Sequence, residues 1–95
     1  MAELESRVEA RLRDRVRKAG GMSVKVAPTE KGVPDRLVIL GGNIYLVELK
    51  AVGGTLSPAQ KHWHDRAAQR GVTVATLTGR DEVDAWINDK TKDEA

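Results

Sequence analysis

Val33-Pro34-Asp35-Arg36-Leu37-Val38-Ile39-Leu40-Gly41-Gly42-Asn43-Ile44-Tyr45-Leu46-Val47-Glu48-Leu49-Lys50 joins two strand-forming runs through a turn signal. Asp35 to Leu40 and Ile44 to Lys50 are rich in β-branched and aliphatic side chains, which favour strands. Gly41-Gly42-Asn43 between them predicts a tight hairpin. Three charges interrupt this pattern. Asp35 follows a proline, Glu48 comes thirteen positions later, and Lys50 lies two beyond Glu48. A charge on a buried sheet face is costly unless it is paired or binds a metal. A conflict between local pattern and local charge is where function usually lies.

Glu48 and Lys50 share one face of their strand, about 7 Å apart along the backbone. Val47 and Leu49 point to the other face and into the core. A two-residue loop, Gly42-Asn43, would pair Gly41 with Ile44 and set Asp35 opposite Lys50. A three-residue loop would set Asp35 against Leu49, with a bend at Pro34 to bring it back.

Hydrolysis of a phosphodiester needs an activated water and a place for extra negative charge. Two carboxylates on adjacent strands can hold Mg²⁺ through hard oxygen ligands, with waters completing the octahedron. The ion lowers the pKa of a bound water and neutralises the phosphate. The Lys50 ammonium can orient that water and stabilise developing charge. The competing reading is a solvated strand face whose charges pair across strands. The preceding Pro-Asp and the hairpin weigh against it.

Outward from the hairpin, Glu3 to Ala19 reads as a helix. Leu4, Val8, Leu12 and Val16 form its apolar stripe and Gly20-Gly21 its end. Met22 to Ala27 is a short strand and Pro28 to Gly32 a loop. Ser57 caps a helix with Pro58 at its first position, running to about Arg70. Val72 to Leu77 is another strand. A last helix, Asp81 to Asn88, turns Val83, Trp86 and Ile87 inward. The expected order is α-β-β-β-α-β-α in one α/β domain over residues 1–95.

Composition fits that scheme. Of 95 residues, 40% are hydrophobic and 32% charged, as in an ordinary soluble globule. Phe is absent, so Val, Leu, Ile and Ala must build the core, with Trp63 and Trp86 as its large pieces. So short a chain buries a modest core, and an oligomer is unsurprising. The net charge of +2 is weak support for a nucleic-acid partner. The absence of cysteine excludes disulfides and thiolate metal sites. No apolar run suits a signal sequence or membrane span, which reads as an intracellular, cytoplasmic protein.

With these residues laid out, the chain resembles the VRR-Nuc family in its small, stand-alone, virus-type form, within the PD-(D/E)xK nuclease superfamily. The matching pieces are a Glu-bearing first helix ending in Ala19-Gly20-Gly21, Lys25, Gly32-Val33-Pro34-Asp35-Arg36, Val47-Glu48-Leu49-Lys50-Ala51 and Leu56-Ser57-Pro58-Ala59-Gln60. They cover nearly the whole chain in order. The resemblance implies a restriction-endonuclease-like core, a mixed sheet flanked by helices, with Mg²⁺ or Mn²⁺ as cofactor. It implies Asp35, Glu48 and the Leu49 carbonyl as metal ligands, Lys50 as the catalytic lysine and Gln60 as a supporting residue. The family's first-helix acid falls on Glu9 or Glu5, with Glu9 spaced from Leu12 and Gly20 like the resolvase helix. Stand-alone members are similar to archaeal-type Holliday-junction resolvases, homodimers acting on four-way DNA. Phage recombination or DNA processing is the implied setting.

Arg7, Arg11 and Lys18 share a helix face, with Arg15 beside them, and suit DNA phosphates. Glu3 and Asp14 partly neutralise that stripe. Lys25, Lys31 on the Thr29 to Gly32 loop, and Arg36 beside Asp35 are further expected DNA contacts. His62 and His64 point about 200° apart on a helix, which disfavours a shared zinc. No phosphate-binding loop or dinucleotide fingerprint calls for an organic cofactor. The rival functions are a nuclease for flaps, nicks or duplex ends, and a non-catalytic DNA-binding protein that keeps the fold.

Overall fold

A computed structural model describes residues 4–92. The element order is α1 (Glu5–Lys18), β1 (Met22–Lys25), β2 (Arg36–Leu40), β3 (Asn43–Lys50), α2 (Pro58–Ala68), β4 (Ala75–Thr78) and α3 (Gly79–Thr91). This is the expected α-β-β-β-α-β-α order. The strands form one mixed sheet in the order β1-β2-β3-β4, antiparallel except for the parallel β3–β4 pair.

α1 buries Val8, Leu12 and Val16 completely. Each contributes about 1.5–3 kcal/mol of apolar transfer. Leu4, expected in that stripe, is the N-cap residue and is 60% exposed. Glu3, the expected helix start, lies outside the described residues. Gly20 ends the helix at φ 82°, and Gly21 N–H closes back on the Val16 carbonyl at 2.9 Å.

The β2–β3 turn differs from both expected loops. Leu40 pairs with Asn43, so the loop is Gly41-Gly42, with φ of 59° and 82°. A two-residue hairpin loop that twists with its strands needs positive φ at both positions, which two glycines supply without strain. Ladder partners therefore sum to 83, as in Arg36 with Val47. One step beyond the ladder, this register sets Asp35 opposite Glu48, not Lys50 or Leu49.

Alternation along the strands then divides the sheet. Val38, Leu40, Val47, Leu49 and Leu77 face α1 and α3, and with Val8, Leu12, Val16, Val83 and Ile87 make the core. Trp86 packs at its margin, edge-on to Tyr45 with ring centroids 5.1 Å apart. Arg11 and Arg15 of α1 both pair with Asp84 of α3, at 3.1 and 2.7 Å. α2 crosses the opposite face, over the β3 end that carries Leu46 and Glu48. Val72, expected to begin a strand, instead turns its N–H onto the Ala67 carbonyl at the helix end, at 2.9 Å. β4 therefore starts at Ala75. No described helix is long and apolar enough to cross a membrane.

Candidate active site

The charges meet where β2 begins. Pro34 is buried, and Asp35 follows it immediately before the first ladder residue. Asp35 Oδ2 accepts the Leu49 backbone N–H at 2.8 Å. Its own carbonyl accepts from Val26 N–H at 2.9 Å, so the chain is fixed on both sides. The preceding loop is seated by Gly32, at φ +85°, where a Cβ would stand 2.2 Å from the Ala59 carbonyl. Any side chain there would push the loop off the first turn of α2. Glu30 ties the same loop to α2, accepting from Trp63 Nε1 at 2.7 Å. The loop expected over Pro28 to Gly32 is thus docked on α2, with Lys31 exposed on it.

Glu48 is 1% exposed. Burial first, then the hydrogen bond and negative charge of Asp35, push its carboxyl up to about 8, with Glu5 adding and Lys50 opposing. Lys50 is half-buried on the same face, two positions on. Two carboxyl groups are thus pressed together in a low-dielectric site.

The start of α2 orients Glu48. Ser57 Oγ accepts from Gln60 N–H at 3.1 Å, and Ser57 N–H donates to Gln60 Oε1 at 2.8 Å. This is a capping box, S-x-x-Q, legible in the sequence but read there only as a cap. It uses the amide oxygen of Gln60, so the amide nitrogen must point the other way. That nitrogen lies 3.3 Å from Glu48 Oε2. One turn on, His64 Nε2 lies 3.7 Å from Glu48 Oε1, and both atoms are buried without a hydrogen bond. Burial, chiefly, lowers the His64 pKa, with Asp65 opposing and Lys50 adding. Considered in the sequence only for a zinc shared with His62, His64 takes its place here through its i+4 spacing from Gln60 on α2.

On the α1 side, a cavity of about 190 Å³ is lined by Glu5, Ser6, Glu9, Lys25, Asp35 and Leu49. Both first-helix acids therefore reach the site. Glu9 Oε2 lies 3.8 Å from Lys25 Nζ and from Arg36 Nε. Glu5 acts on Glu48 through its charge. Arg36, expected at DNA, is buried below the cavity against Glu9, whereas Lys25 remains largely exposed. Arg7 is exposed, Arg11 is held by Asp84, and Lys18 pairs with Asp14 at 3.0 Å.

No three acidic or histidine side chains converge into a metal cage among the described residues. The donor set still fits a divalent cation of the magnesium type, which takes one or two carboxylates and keeps several waters. Glu48 Oε1, buried without a hydrogen bond, is the oxygen of this set available to such a cation.

A domain family described as the VRR-NUC domain matches residues 4–81, which include every residue of this site. The chain belongs to the VRR-NUC family. The VRR-NUC chain is 43% identical over 79 residues to "Putative nuclease p44" of Acyrthosiphon pisum secondary endosymbiont phage 1, covering 81% of this chain and 85% of that protein. A solved structure described as "VRR_NUC domain" superposes with a TM-score of 0.80 at 33% identity, over 88% of this chain and 94% of the other. The mixed sheet and its flanking helices are therefore the VRR-NUC fold, and the protein is a nuclease of that family.

Proposed function

We propose that this VRR-NUC protein is a DNA endonuclease dependent on Mg²⁺ or Mn²⁺ and selective for four-way junctions as a homodimer. The observation that carries the metal is Glu48, a fully buried carboxyl pressed against Asp35 with one oxygen unpartnered. Asp35, through the oxygen that does not bind Leu49 N–H, would hold the cation with Glu48 and the Leu49 carbonyl. The N–H and C=O of a strand residue project to the same edge, so that carbonyl shares the Asp35 side. A bound divalent ion supplies Lewis-acid charge and a water of lowered pKa.

The chain's own groups do the rest. Lys50 orients the attacking water and stabilises charge as the water oxygen bonds to phosphorus. The phosphorus–oxygen bond to the leaving nucleoside then breaks, and that oxygen takes up a proton from solvent, matching the one the attacking water gives up to solvent. Gln60 and its cap keep Glu48 in place. Glu9, held by Lys25 and Arg36, sets the charge of the cavity beside the phosphate. Of the expected charges, Arg7, Arg11, Lys18, Lys25 and Lys31 remain exposed for DNA, Arg11, Lys18 and Lys25 within ion pairs, and Arg36 alone is buried.

The dimer is supported by an uncovered sheet face. Met22, Ile39 and Ile44 form one cross-strand row, 59%, 37% and 69% exposed. Val24, at 46%, leads a second row with Leu37 and Leu46. A contiguous apolar patch of this kind marks an interaction site, and a two-fold dimer buries the same patch of both copies. Paired sites would match the symmetry of a junction.

The test is cleavage of a labelled four-way junction beside a matched linear duplex, with Mg²⁺ or Mn²⁺. Cutting of the junction alone supports the resolvase reading. Equal cutting of the duplex replaces it with a general endonuclease. Cutting of neither moves the function to flaps, nicks or ends, or to binding alone.

A further inference from the structure

A second opening lies on the same side of α1 as the metal cavity. It measures about 480 Å³ and is lined by Ala10, Arg13, Asp14, Arg17, Gly21, Met22 and Ser23. The metal cavity uses Glu5, Ser6 and Glu9 of α1 and Lys25 of β1. The second opening uses the next two turns of α1 and the preceding residues of β1. Because β1 runs back along α1, the two are successive stretches of one cleft.

Three features suit this cleft to phosphate. Glu9, Arg13 and Arg17 recur every four residues, a step of about 6 Å along the helix, comparable to the separation of neighbouring phosphates on a strand. Arg13 forms no ion pair among the described residues, whereas Arg11 and Arg15 are held by Asp84, and Arg17 and Lys18 by Asp14. Ser23 Oγ is buried in the cleft wall with no hydrogen-bond partner. Ser23 pairs with Val38 and so shares the α1 face of the sheet with Lys25. A hydroxyl buried without a partner is costly unless a ligand completes it.

Resting on the nuclease reading above, we infer that the DNA strand cut at the metal cavity continues along the α1–β1 cleft, with Arg13 and Ser23 taking the phosphate beside the scissile one. Arg17 takes the next, sharing its charge with Asp14. The strand track therefore lies on the β1 flank of α1, a quarter-turn or more from the Arg7–Arg11–Lys18 face that the sequence suggested. Asp14 opposes this track with its carboxylate, which Arg17 and Lys18 hold ionised by hydrogen bonding and charge.

The test is binding of a labelled four-way junction without added metal, over a range of salt, by wild type, Arg13→Ala, Arg13→Lys and Asp14→Asn. Loss of one phosphate contact should lower the salt-dependence slope by about 0.7–0.9. Arg13→Ala should weaken binding severalfold with that smaller slope, and Arg13→Lys should restore most of both. Asp14→Asn should tighten binding, which loss of a merely structural ion pair would not do. Unchanged melting temperatures for all three show that folding is intact. Arg13→Ala and Asp14→Asn indistinguishable from a wild type that binds and cuts would overturn the track alone. A wild type that neither binds nor cuts DNA would overturn the track together with the nuclease reading.

Discussion

Asp35 Oδ2 accepts the backbone N–H of Leu49 at 2.8 Å. That bond fixes the end of β3 to the residue before β2, just where the ladder stops, and puts the Asp35 carboxylate beside the carboxyl of Glu48. It also leaves Asp35 one oxygen free. Local chain geometry, set by Pro34 and the seat of Gly32 on Ala59, thus builds the site that the charges use.

Lys50 separates binding from chemistry. It lies on the Glu48 face, yet only half-buried, so its removal disturbs no core. Lys50→Ala should bind junction DNA within a few-fold of wild type while cleavage falls about 10²–10³-fold, the usual cost of losing one preorganised charge-stabilising group. Single-turnover cleavage beside an anisotropy titration checks both. Retained cleavage would remove Lys50 from the catalytic role.

Glu48 should make the metal-free protein sensitive to pH. Its carboxyl is raised from an ordinary 4.5 to about 8 in the folded state. Below 4.5 both folded and unfolded chains hold the proton; between the two values the folded chain alone holds it. Stability from this group is therefore full in acid and lost as pH rises towards 8, by a few kcal/mol. His64, lowered from 6.5, acts in the opposite sense as pH falls. The difference between wild type and Glu48→Gln isolates the carboxyl. Urea unfolding in a chelator at pH 5 and pH 8.5 should show wild type losing more stability than Glu48→Gln between the two.

Ser57 reaches the chemistry through Gln60. Ser57→Ala should cost about 1 kcal/mol of stability, as a lost N-cap does, and should free the Gln60 amide to rotate away from Glu48. Cleavage should fall several-fold, and Ser57→Thr should recover both stability and rate. Melting curves and cleavage rates measured on the same samples check this; a rate unmoved by Ser57→Ala would detach the cap from Glu48.

Ile44 ends the first exposed apolar row on β3 and is its most exposed member. Ile44→Lys should leave the fold and its melting temperature nearly unchanged, because the side chain is 69% exposed. Sedimentation should then report a single chain of 10.4 kDa where wild type reports twice that mass. A wild type that sediments as one chain would exclude this face as the dimer contact.

Much of this was legible in the residues, and the misses have local causes. The apolar stripe Val8, Leu12 and Val16 and the inward Val83 and Ile87 follow from helical period. Val47 and Leu49 against Glu48 and Lys50 follow from strand alternation. The hairpin register did not, because Gly41-Gly42-Asn43 offers several loops and only paired positive φ at both glycines selects one. Ends of elements shifted where a backbone group found another partner, as at Val72. Arg11 and Arg36 read as free charges in the sequence, yet Asp84 and Glu9 lie 73 and 27 positions from them. Such pairings exist only once α3 and β2 pack on α1. His64 was weighed for zinc with His62, whereas its neighbour in space is Glu48.

The most direct test of the metal centre is a calorimetric titration of Mn²⁺ into wild type and Asp35→Asn near pH 7. A centre built from Asp35, Glu48 and the Leu49 carbonyl should bind one ion per chain and release about one proton as Glu48 ionises. Asp35→Asn should weaken that binding by more than tenfold. Identical isotherms for the two proteins, or no proton release, would contradict a metal held between Asp35 and Glu48.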